Sequence, residues 1–154
     1  MQLVSKCGKL PLSTRQITNS NLTYHTMNNN IVSAAVIAIA SNTNVTASER
    51  AKLISDMLKG HTFRATYHKA KPELDEAGNP IPREAICSTN YDELAVRSGA
   101  YKSWLAEQEW KASKGLTSKR KEAWEYGNVQ YWDLDKDSFR NFKVDNLISL
   151  EIVD

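Results

Sequence analysis

The chain has 154 residues, 41% hydrophobic and 25% charged, a balance that suits one folded domain with its own core. A net charge of +2 excludes a uniformly basic surface, and no apolar run reaches the roughly 18 residues that span a bilayer. Two distant cysteines, Cys7 and Cys87, exclude a Cys-x-x-Cys metal site; they leave room for one disulfide, and two free thiols in a reducing cytoplasm are the expectation. Charge is spread unevenly. Residues 99–126 hold six basic and four acidic side chains, and residues 127–154 hold three basic and six acidic.

Residues 1–30 are polar, rich in Ser, Thr and Asn, and show no period, so a loose arm is expected. Ile31–Ala40 is continuously apolar, and its alanines favour a helix over a buried strand. It lies too far from the terminus, behind a polar stretch, to suit a signal peptide. Residues 1–45 are therefore an arm with an apolar segment, and residues 46–154 the domain.

Thr46-Ala-Ser-Glu49 is a capping box that opens a helix running to Lys59, with Leu53, Ile54, Met57 and Leu58 as its apolar face. Gly60 is its expected left-handed stop. His61–Ala70 alternates with period two and predicts a half-buried strand, followed by an exposed loop from Pro72 to Pro82. Arg83–Thr89 is the returning strand. Asn90 caps a short helix, with Glu93 three residues on and Gly99 at its stop.

Residues 99–126 predict a helical insert, broken at Gly115, with Ser118 capping a second short helix that ends at Gly127. Strand signals follow at Val129–Leu134, Ser138–Asp145 and Leu147–Val153, with Asp135-Lys136-Asp137 as the turn between the first two. One helix, about five strands and a helical insert make an α+β chain with the makings of a small barrel. The segment Val129–Val153 is expected to close it.

The stretch Val129-Gln-Tyr-Trp-Asp-Leu-Asp-Lys-Asp-Ser-Phe-Arg-Asn-Phe-Lys-Val-Asp-Asn-Leu147 resembles the core hairpin of WYL-type domains. It is closer still to small WYL-like proteins of tailed bacteriophages, which have an SH3/Sm-like β-barrel fold. Upstream, Phe63-Arg-Ala-Thr-Tyr-His-Lys and Arg83-Glu-Ala-Ile-Cys-Ser-Thr are similar to the same pattern. With the upstream helix that ends at Gly60 and the Gly-containing loop between the two strands, the likeness covers about 60 of the 154 residues, in two blocks. The chain reads Tyr131-Trp132-Asp133 where a WYL domain reads Trp-Tyr-Leu, its insert is longer, and residues 1–45 match nothing in the family. The resemblance implies a nucleotide or single-stranded nucleic-acid ligand near Tyr131, Trp132, Arg140 and Phe142.

The residues themselves leave two roles open for this hairpin. Arg140 and Phe142 share one strand face, so the cation can meet a phosphate beside a ring that stacks a base. Alternatively Arg140 pairs with Asp145 or Asp133 and Phe142 fills the core. The insert interleaves Lys111, Lys114, Lys119, Arg120 and Lys121 with Tyr101, Trp104, Trp110, Trp124 and Tyr126. Cations that track phosphates among rings that stack bases suit a single strand. The other reading is an amphipathic insert whose rings cover the barrel, or a protein-binding surface anchored by Trp and Tyr.

Asp133-x-Asp-x-Asp137 opens like a calcium loop but has Ser138 where glycine belongs and Val144 where glutamate belongs, so it reads as a polar turn. His61 and His68 fall on opposite strand faces and cannot share a metal. The sequence offers no nucleophile motif or Gly-rich phosphate loop and no paired carboxylates near an obvious pocket, and Glu73, Asp75 and Glu76 belong to a solvated loop. The expectation is a cytoplasmic, non-enzymatic accessory protein without cofactor that binds nucleic acid or a nucleotide through Arg140, Phe142, Tyr131, Trp132, Lys119, Arg120, Lys121 and Trp110. The alternative is a structural module that oligomerises or docks on a larger assembly.

Overall fold

The structure is a computed structural model that describes residues 28–154. Helix α1 covers residues 28–40 and takes in the apolar run. Residues 28–30, expected to belong to the arm, are its first turn; the rest of the arm, with Cys7, lies outside the described residues. Val32, Val36 and Ile39 recur at helical spacing, which gives α1 a stripe to bury. Val36 is fully buried in the same core as the sheet, with Val32, Ile37 and Ile39 packed beside it.

Helix α2, Ala47–Leu58, starts at the predicted capping box: Glu49 N donates to Thr46 Oγ1 at 3.2 Å, and Thr46 N donates to Glu49 Oε2 at 3.4 Å. Its Arg50 is buried and ties three segments together. Nη1 donates to the Ala40 carbonyl (2.7 Å) at the end of α1, Nε donates to the Val45 carbonyl (2.9 Å), and Nη1 pairs with Asp145 (2.8 Å). Orphan carbonyls at a helix end need such a partner once water is excluded.

The five predicted strands form, differing from expectation only at their ends: β1 Thr62–Tyr67, β2 Arg83–Ser88, β3 Asn128–Asp133, β4 Ser138–Lys143 and β5 Leu147–Ile152. They make one antiparallel sheet in the order β4-β3-β2-β1-β5. The expected closure by Val129–Val153 does not occur. β5 pairs with β1, Phe63 opposite Ile152 and Tyr67 opposite Leu147, so β4 and β5 are opposite edges of an open sheet. The two edges are nevertheless joined by a 3₁₀ turn of three residues, Val144–Asn146. Four strand spacings in a flat sheet span about 19 Å. A three-residue link reaches no more than about 14 Å. The sheet therefore curls.

The inner face of the curl is the main core, with Phe63, Ala65, Tyr67, Cys87, Val129, Tyr131, Phe142 and Ile152 meeting Ile54 and Leu58 of α2. Between β2 and β3 runs the insert. Helix α3, Tyr91–Arg97, opens at Asn90, whose side chain accepts from Glu93 N at 3.2 Å. Gly99 does not stop it. Ser98 both ends α3 and caps α4, Gly99–Ser113, by accepting from Tyr101 N at 3.1 Å. The helix expected from Ser118 does not form: residues 114–122 are irregular, and a single 3₁₀ turn, Ala123–Tyr126, precedes Gly127. Thr117 to Lys121 offers adjacent cations and no apolar face to bury, so nothing offsets the cost of nucleating a helix there. Gly127 sits at φ 77°, and a Cβ on it would lie 3.1 Å from Ala47 Cβ, so the turn into β3 requires glycine.

Candidate nucleic-acid interface

The β3–β4 hairpin carries aromatic rings on both faces, and its register decides where each candidate side chain goes. Val129 faces Phe142 and Tyr131 faces Arg140 on the inner side; Gln130 faces Asn141 and Trp132 faces Phe139 on the outer side. The adjacent rings Tyr131 and Trp132 therefore point into different cores. Tyr131 and Phe142 fill the inner core at 0% and 2% exposure, and Tyr131 Oη lies 2.6 Å from Tyr67 Oη. Burial, reinforced by that hydrogen bond, pushes the Tyr131 hydroxyl well above its ordinary range. Trp132 is buried in a second core with Leu94 and Tyr101, against which Tyr91, Trp104, Leu105 and Phe139 pack. None of these three rings presents a free face for stacking a base, and the four hairpin candidates do not share one surface.

Arg140 reaches one of its two anticipated partners. Its Nε lies 3.6 Å from Asp133 Oδ2, whereas Asp145 is taken by Arg50. Asp133, 1% exposed, also pairs with Arg83 through the same oxygen, and its Oδ1 accepts from Asp135 N (2.9 Å) and Lys136 N (3.0 Å). The acidic run is thus a turn that one buried carboxylate organises, with Asp137 at φ 49°.

The second core holds Tyr91 stacked on Tyr101, ring centroids 5.9 Å apart. Burial, with Tyr101 beside it, pushes the Tyr91 hydroxyl up to about 12. Below pH 10 both folded and unfolded chains keep the proton. Between 10 and about 12 the unfolded chain releases it and the folded one does not, so stability falls as pH rises through that window. Urea midpoints taken from about pH 9 to about pH 12 should decline, and Tyr91→Phe should make the decline shallower. An identical decline in that variant assigns the loss to other groups.

Outside the second core, α4, the 114–122 connection and the outer face of the hairpin enclose a groove of about 630 Å³. Trp104 and Phe139, 4.7 Å apart edge to face, form its apolar wall. Lys111 and Arg120 supply cations, Gln130 an amide from β3, and Glu107 holds Lys111 Nζ at 2.8 Å. Of the candidate set the groove gathers Arg120. Lys119 and Lys121 are exposed on either side of it in the chain, with Lys121 Nζ 5.7 Å from the centre of the Tyr126 ring. Trp110 stands 56% exposed on α4, outside the groove lining. Sequence reasoning missed Phe139 and Gln130. Alternation could have found both: Phe139 is one residue from Arg140, and Gln130 is two from Trp132, so both belong to the outer face. The chain matches no family model, no curated protein and no solved structure.

No helix among the described residues is long and apolar enough to cross a membrane.

Proposed function

We propose that this chain is a small non-enzymatic accessory protein of phage type, acting in the host cytoplasm, that binds single-stranded nucleic acid or a nucleotide in the groove between α4 and the β3–β4 hairpin. The observation that carries the reading is the meeting of Arg120 and Lys111 with Trp104, Phe139 and Gln130 in one groove. Cations neutralise phosphates, and ring faces accept bases whatever their sequence. The non-enzymatic part rests on a sequence without a nucleophile motif or a carboxylate pair placed near a pocket. The strand order, with a three-residue link between the two edges, supports reading the curled sheet as an SH3/Sm-like partial barrel of WYL-like kind. The WYL likeness directs attention to Tyr131, Trp132, Arg140 and Phe142, whereas the proposed contact surface uses their outer-face neighbours.

Polarisation of a labelled single-stranded oligonucleotide tests the groove. The pair Arg120→Ala and Lys111→Ala should weaken binding roughly tenfold or more. It should also lower the slope of log affinity on log salt by about 1.4, from about 0.7 per lost phosphate contact. Unchanged retention by that double variant overturns the assignment.

A second reading, a protein-interaction module that oligomerises or docks, is favoured by the exposed apolar side chains Val96, Trp110, Leu116 and Tyr126 on the insert. A defined oligomer in solution with no oligonucleotide retention selects it over the first.

A further inference from the structure

The outer face of the hairpin continues past the groove as a row of amides. Gln130 lines the groove itself and stands directly opposite Asn141 across the ladder; Asn128, two residues before Gln130 on the same face, stands opposite Lys143. Gln130, Asn141 and Lys143 are exposed and Asn128 is partly so. Side chains directly opposite one another in a ladder lie about 5 Å apart at Cβ, so Gln130 and Asn141 act side by side. Among the described residues none of these three amides makes a hydrogen bond within the protein, and each keeps its donors and its acceptor for something else.

Asparagine is depleted in strands, where Thr and other β-branched or aromatic side chains are favoured. Two asparagines in successive positions of this ladder face run against local propensity, and such departures cluster at functional sites. At the groove end of the row stands Phe139, beside Trp132. At the far end stands Lys143. Ring, paired amides and cation follow one another along a single strand face, in the order that a stacked base, a read base and a phosphate would occupy.

We infer that Gln130 and Asn141 are specificity-determining residues that read the hydrogen-bonding edge of a nucleobase, with adenine preferred, while Phe139 stacks the neighbouring base. An amide offers one acceptor and two donors in a plane, which matches the paired acceptor and amino group on adenine's edges. Recognition of an unstacked base by its edge is the way single strands are read. The inference rests on the proposed nucleic-acid reading and adds to it: the cations would set affinity, the amides sequence.

Selection from fully randomised pools of short single-stranded RNA and, in parallel, DNA tests it. The wild-type chain should enrich adenine at a fixed place, with roughly tenfold discrimination over other bases. The Gln130→Ala and Asn141→Ala double variant, which trims one wall of the groove, should bind the unselected pool a few-fold more weakly at an unchanged salt slope, and should lose that enrichment. Arg120→Ala should do the reverse, weakening all sequences alike. Binding by the double variant with the same base preference as wild type, or wild-type binding without any preference, overturns the amide assignment and leaves the groove reading standing. No retention of either pool by the wild-type chain overturns both.

Discussion

Replacing Asp133 by Ala lowers the stability of the fold by about 3–5 kcal/mol, read as a fall in denaturant midpoint at unchanged slope. Asp133 is 1% exposed, and both of its oxygens are occupied. Oδ1 fixes the β3–β4 turn through two backbone amides, and Oδ2 meets the guanidinium of Arg83 and the Nε of Arg140. Arg83 is partly buried, its side chain 19% exposed, and its Nε has no hydrogen-bond partner, so loss of the carboxylate leaves a partly desolvated cation without its counter-ion. Asp133→Asn keeps an acceptor for the two amides and should cost less. The combination of Asp133→Leu with Arg83→Met removes both charges of the pair and should recover the part of the loss that comes from the unpaired cation, while the amides of Asp135 and Lys136 stay without their acceptor. A cycle of Asp133→Leu, Arg83→Met and the two together isolates the coupling. An Asp133→Ala protein within about 1 kcal/mol of wild type contradicts the network as the support of the hairpin.

The same residue shows what was legible in the sequence. Each strand was visible, because half-buried strands alternate and their boundaries carry turn residues. The capping box and the Asn90 cap were visible because they are local. Pairing was not. That β5 returns to β1 is decided by which edge it can reach after a three-residue link, a property of the curled sheet and not of residues 147–152. The Arg140 ambiguity was real at the sequence level: Asp133 and Asp145 are both near in the chain, and only the position of Arg50, ninety residues upstream on α2, removes one of them. The aromatic cluster was legible as composition and illegible as geometry. Tyr131 and Trp132 look like a stacking platform when read together. Period two separates them, and the insert that covers the outer face is itself rich in rings, so Trp132 is consumed by packing. Alternation alone assigns Phe139 and Gln130 to the outer face, but only the register and the fold of the insert place them beside Asn141 and Trp104.

Phe142→Ala should cost about 3–5 kcal/mol, while Trp110→Ala should stay within about 0.5 kcal/mol of wild type, although both aromatics were candidates to meet a ligand. Phe142 lies on an edge strand, a position where side chains are often half solvated. Here the curl changes that. Its ring lies 5.3 Å from Tyr67 and 6.0 Å from Tyr131, opposite the fully buried Val129, so truncation opens a void lined by rings that the sheet cannot close around. Phe142→Leu keeps most of the volume and should cost under about 1.5 kcal/mol. Arg140, two residues earlier on the same face, is 41% exposed at the rim, and its removal should cost about 0–1 kcal/mol because Arg83 still holds Asp133. Guanidinium-chloride titrations of the four variants give the ranking directly. A Phe142→Ala midpoint close to that of Trp110→Ala would mean that β4 does not cover the core. The separation of a structural inner face from a binding outer face would then fail with it.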